Sequence, residues 1–283
     1  MKFLSFSHQG KQSWGCVRDD RVIDLGDVFR SLRHMIAADG LDKAVAAIEA
    51  ADTSIPLADI SYLPPIAKPD KILCIGVNYR NRNAEYKDGS DEPRYPSLFM
   101  RTPGSLVGHG QALMRPPESV QLDYEGEIVI VIGKAGRRIP EAEAANHIFG
   151  LTLMNEGTIR DWLRHGKFNV TQGKNFGSSG SIGPWIVTSD EAGPLDKLEV
   201  RTRVNEEERQ HGFTSDLMFP LAFIISYLST FMELLPGDII ATGTPPGAGA
   251  RFDPPRWLVA DDTVEVSSPQ IGILRNRVED EKV

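Results

Sequence analysis

The sequence predicts an α+β protein rich in strands, built from mixed sheets rather than a doubly wound parallel sheet. Three observations lead there. Apolar runs of strand length outnumber runs of helical period, and few helices are placed to cross over between parallel strands. The run Ile-Val-Ile-Val-Ile at residues 128–132 is β-branched throughout, as suits a strand buried on both faces. Prolines at 56, 64, 65 and 69 mark a break in the chain. They separate a small N-terminal α/β cap domain, residues 1–65, from a larger domain, residues 66–283.

The elements follow in order. Residues 2–6, 14–17 and 22–23 read as short strands joined by polar turns, the first turn at Gln9-Gly10. Residues 27–50 read as two helices broken at Asp39-Gly40, with Ala44, Val45, Ile48 and Ala51 at helical spacing. Residues 71–76 are a strand, and 78–86 a turn leading into a helix. Residues 87–97 are polar and carry prolines, as a lid loop would. Strands are expected at 98–101, 122–134, 148–154, 184–188, 198–204, 238–242 and 263–266, with a glycine-rich loop at 173–183. Residues 140–146 and 158–163 suggest short helices. One long helix is expected from Ser215 or Asp216 to about Leu235, ended by Pro236-Gly237.

Composition narrows the function. The chain has 283 residues, 41% hydrophobic and 25% charged, which is enough for a sizeable core. Its net charge of −8 argues against nucleic acid or a membrane surface as a partner. Cys16 and Cys74 form no CxxC, so neither a disulfide framework nor a thiolate zinc site is indicated. The six histidines show no metal-binding spacing, and there is no G-x-S-x-G. No signal peptide or membrane-spanning run is evident, so a cytoplasmic location is expected.

The acidic residues carry the chemistry. Glu125 and Glu127 stand two apart at the start of the buried strand, so they share a face, while Gly126 takes bulk off the other face. Two like charges there need neutralising, by a proton or by a cation bound between them. Glu156 is a third candidate, directly after the strand at 148–154. Three carboxylates with waters suit Mg²⁺, Mn²⁺ or Ca²⁺. Lys174, on the glycine-rich loop, could meet a substrate carboxylate or act as a base if desolvated. The GTPPGAG loop, with Thr244, lacks the pattern of a P-loop but could hold a carboxylate.

Six stretches together resemble the fumarylacetoacetate hydrolase superfamily. They are IGVNYRNRNAEY, RTPGSLVG, LDYEGEIVIVIGK, FGLTLMNEGTIRDW, TQGKNFGSSGSIGPWIVT and LLPGDIIATGTPPGAG, in the family's order over residues 70–250. The resemblance implies a mixed β-sandwich roll with a small N-terminal domain, usually as a homodimer. It implies one Mg²⁺ or Mn²⁺ per subunit, held by Glu125, Glu127 and Glu156, the last where most members have aspartate. It places Lys174 at the lysine tied to substrate and catalysis. Thr244 falls in the loop that holds the substrate's carboxylate end, and Tyr79 in the NY motif beside the substrate.

Two departures bear on the reaction. Hydrolytic members often pair a histidine and a glutamate three apart to activate water. Glu85 fits the second place, but Arg82 stands at the first, and an arginine stays protonated. Arg101 replaces a family lysine. The resemblance implies a substrate with a 2-oxo acid unit whose enolate is stabilised at the metal. The leading expectation is hydrolysis of a C–C bond in a 2,4-diketo acid, such as maleylpyruvate or fumarylpyruvate from aromatic catabolism, releasing pyruvate. Glu85 is then the base, Lys174 orients substrate or moves a proton, and Arg82 or Arg101 binds a distal carboxylate. An isomerase or decarboxylase of a 2-oxo or 2-hydroxymuconate-type dicarboxylic acid is the alternative.

Overall fold

A computed structural model describes residues 1–80, 92–163, 165–166 and 169–282. The chain opens with an antiparallel meander of β1 (Lys2–His8), β2 (Lys11–Arg18) and β3 (Arg21–Asp24). Gln9 and Gly10 both have positive φ, which gives the turn a twist that matches the flanking strands. Next come α1 (Leu32–Ala37), capped by the Ser31 side chain on the His34 N–H, and α2 (Leu41–Glu49). The predicted break between them is at Asp39, whose φ is +50°. β4 (Ile55–Pro56) then pairs with β3, and β5 (Ser61–Leu63) with β1.

The rest of the chain supplies β6 (Ile72–Gly76), β7 (Ser97–Met100), β8 (Leu106–Val107), β9 (Leu113–Arg115), β10 (Leu122–Asp123) and β11 (Gly126–Ile132). After a 3-10 turn at Glu141–His147 come β12 (Ile148–Asn155), β13 (Thr158–Ile159), α3 (Thr171–Lys174), β14 (Gly180–Thr188) and α4 (Ser189–Ala192). The last elements are β15 (Glu199–Val204), β16 (Glu207–Phe213), α5 (Leu221–Phe231), β17 (Ile239–Ala241), β18 (Thr263–Ser268) and β19 (Gly272–Asp280).

Among the described residues, twelve strands form one mixed sheet in the order β4-β3-β2-β1-β14-β12-β11-β17-β6-β7, with β5 on β1 and β8 on β14. A second sheet runs β16-β15-β18-β19-β9. β11 lies inside the large sheet and is buried on both faces, as its β-branched run predicts. Ile128, Ile130 and Ile132 pack towards Val200, Val266 and Leu274 of the second sheet and towards Ile224 and Leu228 of α5. Val129 and Val131 face the other core. The predicted α+β, strand-rich fold is what forms.

Three local expectations change. The segment 1–65 keeps a small cluster of its own, Leu4, Phe6 and Val22, and shares a larger one with the rest of the chain. β1 is hydrogen-bonded to β14, with Lys2 opposite Val187 and Phe3 opposite Ile186. Phe3, Trp14, Ile23 and Met35 share a cluster with Val129, Met154 and Ile186. The prolines bend the chain at 64–65 but do not divide its packing. The long helix is shorter than expected, because Pro220 is extended (ψ 159°) and serves as the N-cap of α5, while residues 214–216 form a separate 3-10 turn. Met232 is extended as well and ends the helix before Pro236. Finally, the tail is a nine-residue strand, β19, which completes the second sheet. No helix among the described residues is long and apolar enough to cross a membrane.

Candidate functional site

Pairing of β11 with β12 builds the site. Gly126 is opposite Asn155, so Glu125 and Glu156 sit side by side just past the paired ends. The Glu156 N–H donates to the Glu125 carbonyl at 2.7 Å, and the Asn155 Oδ1 accepts from the Glu125 N–H at 3.0 Å. Glu127 follows on the same side of β11. The three side chains offer carboxylate oxygens that all lie within 4.8 Å of one another, and all three residues are buried.

Gly126 is required for this placement, because the second sheet crosses β11 there. A Cβ on Gly126 would stand 2.0 Å from Thr202 Oγ1 and 3.2 Å from Val266 Cγ1, both on that sheet. Gly126→Ala is expected to lower stability by about 1–3 kcal/mol, as overpacking of a tight interior does. Urea unfolding of the variant with an unchanged midpoint would contradict this.

Cations surround the carboxylates. α3 is one helical turn and ends at Lys174, which is 5% exposed. The Lys174 Nζ donates to Glu125 Oε2 at 2.5 Å, Glu156 Oε2 at 2.6 Å and Thr158 Oγ1 at 2.8 Å, which uses all three of its protons. Phe99 lies under the ammonium, its ring centre 5.1 Å away. Arg160 bridges Glu125 Oε1 and Asp123 Oδ2, each at 2.7 Å. Arg101 reaches Glu156 Oε1 at 2.9 Å.

Arg101 corrects one expectation. Its other bonds go to Gly157 O (2.8 Å), Ser105 Oγ (3.0 Å), Ser105 O (3.2 Å) and Ser179 Oγ (3.0 Å). All five guanidinium N–H groups are therefore committed inside the protein, so Arg101 orients Glu156 rather than binding a distal substrate carboxylate.

Glu127 differs from its neighbours. Among the described residues it has no cation partner, and its Oε2 accepts the Gly243 N–H at 2.8 Å. Burial, then the charges of Glu156 and Glu125, push its carboxyl well above the ordinary range. Burial also raises Glu156, against the pull of Lys174 and Arg101. Burial works against the Lys174 ammonium, but Glu125 and Glu156 outweigh it and raise its pKa. The ammonium form of Lys174 is thus favoured among these carboxylates.

Among the described residues, the carboxyl groups of Asp123, Glu125, Glu127 and Glu156 outnumber the cations Arg101, Arg160 and Lys174 by one. An all-oxygen donor set with a surplus carboxyl group fits a hard divalent cation.

The remaining predicted residues fall in different places. Thr244 lines the cleft beside the cluster, but its hydroxyl proton goes to the Gly126 carbonyl at 2.9 Å. Its oxygen also accepts from Gln210 Nε2 at 2.8 Å, so its backbone and one lone pair remain for a ligand. Tyr79 is 1% exposed, packs in the main core and is not part of the cleft wall; its hydroxyl has no partner among the described residues. Arg82 and Glu85 lie outside the described residues. The cleft holds about 880 Å³. Ile75, Leu98, Phe99, Leu163 and Val170 give it apolar walls, and Val77 lies at its edge with a φ of +53°, rare for a β-branched residue. Asn78 holds that bend through bonds to Phe219 and Thr242.

Residues 71–279 match the family described as fumarylacetoacetate (FAA) hydrolase, C-terminal. The chain belongs to this family. Among relatives in the fumarylacetoacetate hydrolase family, the oxaloacetate tautomerase YisK of Bacillus subtilis (strain 168) is 41% identical over 225 residues, which is 78% of this chain and 74% of the relative. A crystal structure of a probable 2-hydroxyhepta-2,4-diene-1,7-dioate isomerase from Mycobacterium abscessus is 33% identical and superposes with a TM-score of 0.82 over 100% of both chains. Maleylpyruvate hydrolase from Sphingobium sp. SYK-6, in complex with manganese(II) ion and pyruvate, is 26% identical with a TM-score of 0.83, again over 100% of both chains.

Sequence reading missed Gln210, on β16. Its Oε1 accepts the Gly126 N–H at 3.0 Å, and its Nε2 donates to Thr244 Oγ1 and Pro245 O at 2.8 Å each. It ties the loop at 243–250 to the carboxylate strand. An uncharged residue alternating with charged ones near the end of a polar stretch gave the only hint of an inward face.

Proposed function

We propose that this protein is a divalent-metal-dependent enzyme that moves a proton beside the keto group of a 2-oxo dicarboxylic acid, as a keto–enol tautomerase or isomerase of the oxaloacetate class. The observation that carries the proposal is the kind of proton carrier at the site. Among the described residues lining the cleft there is no histidine, and the sequence of residues 81–91 has none either. Among the described residues, the Lys174 ammonium reaches the carboxylates beside two arginines, and of the three it is the group able to give up a proton. Proton transfer without bond cleavage needs no activated water. The relationship to an oxaloacetate tautomerase supports the same reading.

Glu125, Glu127 and Glu156 would hold the metal, Mg²⁺ or Mn²⁺. A bound metal would supply Lewis-acid polarisation of a 2-oxo acid's oxygens. Lys174 holds its proton at Nζ and presents it towards the oxygen or carbon that gains negative charge on enolisation. The apolar wall of Leu98, Phe99 and Leu163 limits water at that point. In this reading Glu85 takes up the proton that leaves carbon, and Arg82 meets the distal carboxylate.

The second reading is C–C hydrolysis of an acylpyruvate. It is favoured by the likeness to a maleylpyruvate hydrolase in complex with manganese(II) ion and pyruvate. One experiment separates the two. Ketonisation of enol-oxaloacetate is followed by loss of ultraviolet absorbance, and a panel of acylpyruvates is assayed for pyruvate. The expected result is faster ketonisation, abolished by EDTA and restored by Mg²⁺ or Mn²⁺, with no pyruvate from the acylpyruvates. Pyruvate release from the panel with no change in ketonisation rate reverses the order of the readings.

A further inference from the structure

Behind Glu125 lies a buried carboxylate that touches neither the cleft nor the other two acidic side chains of the cluster. Asp123 is fully buried at the end of β10. Its Oδ1 accepts the N–H groups of Tyr124 and Gly249, each at 2.8 Å. Its Oδ2 accepts the Ala250 N–H at 3.0 Å and Arg160 Nε at 2.7 Å. Four donors converge on it, and only one is a charged side chain. That side chain, Arg160, is bonded through its Nη2 to Glu125 Oε1 at 2.7 Å. The approach of the loop is close. A Cβ at Gly249 would stand 2.7 Å from Asp123 Oδ1 and 2.1 Å from Arg256 O.

A buried carboxylate without cation or dipoles is costly, so the Asp123 charge fixes where Arg160 and the 249–250 backbone must be. Arg160 is planar and forked, so fixing its Nε end also fixes the Nη2 that meets Glu125. We propose that Asp123 is a positioning residue: through Arg160 it sets the orientation of the Glu125 carboxylate, and it locks that orientation to the end of the loop carrying Thr244. The carboxylate strand and the substrate-side loop are then one mechanical unit, joined at two points, Asp123 behind the site and Gln210 beside it.

The inference rests on the reading of Glu125 as a metal ligand, and two measurements keep the two claims apart. Mn²⁺ binding is titrated by the electron paramagnetic resonance signal of the free ion. Wild-type protein that binds no Mn²⁺ overturns the metal reading. The clamp itself is read in metal-free protein, from the Arg160 Nε–H resonance in ¹⁵N-labelled protein, assigned by its loss in Arg160→Lys. Asp123→Asn keeps size and shape but sets an NH₂ group or a weaker acceptor against Arg160.

In Asp123→Asn the Arg160 resonance is expected to lose its protection from solvent exchange. Mn²⁺ affinity is expected to fall by about ten- to a hundredfold, as when partners of metal ligands are lost. Arg160→Lys should fall similarly, and the double variant should fall no further than the weaker single one, because both cut the same chain of contacts. A resonance still protected in Asp123→Asn overturns the clamp. So does an affinity within threefold of wild type, or losses that multiply in the double variant. If Asp123→Asn does not fold, Arg160→Lys carries the test alone, against the same threefold limit. A purely structural role for Asp123 would lower the melting temperature and leave the Mn²⁺ affinity of the folded protein unchanged.

Discussion

Glu127→Gln is expected to abolish divalent-metal binding and turnover while making the metal-free protein more stable. Glu127 is the carboxylate of the cluster whose only partner among the described residues is a backbone N–H, that of Gly243. A glutamine carbonyl can accept the same bond, so the fold of β11 and of the 243–250 loop is kept. What is lost is a charge. In wild type that charge is buried beside Glu156 and Glu125, which is why its carboxyl is raised well above the ordinary value of 4.5.

The sign of the effect follows from linkage. A raised acid keeps its proton in the folded state at pH values where the unfolded chain has released it. Metal-free stability therefore falls as pH rises from the unfolded value towards the raised one. The glutamine variant lacks this slope, and its metal-free melting temperature should exceed that of wild type at neutral pH. Activity goes the other way. Loss of about 4 kcal/mol of electrostatic stabilisation corresponds to about a thousandfold in kcat/KM. Calorimetric melting with and without Mg²⁺, beside a rate assay, checks both arms. A variant that melts lower than wild type in EDTA would contradict the account.

Arg101→Met is expected to have the largest effect on stability of any single change at the site. Methionine fills much of the volume but returns none of the five hydrogen bonds. It strands Glu156, the Gly157 carbonyl and two serines in a dry interior. Breaking a buried pair from one side costs about 3–5 kcal/mol. Arg101→Lys keeps the charge but has three donors on one atom and cannot span Ser105, Glu156 and Ser179 at once, so an intermediate loss is expected. Chemical denaturation measures both. A residue that bound a substrate carboxylate would instead raise KM and leave the unfolding midpoint in place, and that outcome would overturn the assignment of Arg101 to Glu156.

Much of the site was legible in the sequence because alternation on a strand is a strong rule. Glu125 and Glu127 had to share a face, and the β-branched run behind them had to be buried. Glu156 was found from its place at the end of the neighbouring strand, and β11 and β12 do bring the three carboxylates together. What could not be read was which partner each charge takes. Arg101 is a free cation in the sequence, and its five acceptors come from residues up to 78 positions away.

The missed strands have a common cause. β16 and β19 turn Gln210 and Asn276 inwards, where apolar residues would have revealed the period. Asn276 is satisfied there by the carbonyls of Gly108 and Gln111. The boundary at the prolines is a different kind of signal. Prolines report a bend in the backbone and carry no information about which surfaces meet across it.

The pairing of β1 with β14 has a consequence for how the chain is made. β1 contacts Val187 through Lys2, so this edge waits for β14 to be synthesised before it is covered. β6 waits longer, for β17, and β9 for β19 at the far end. Pairings this distant place the loop-closure cost before the reward, which slows folding and leaves strand edges open to other chains. The edge of β1 that meets β14 thus stays open until β14 is made, with β5 pairing part of β1 from outside the meander before then.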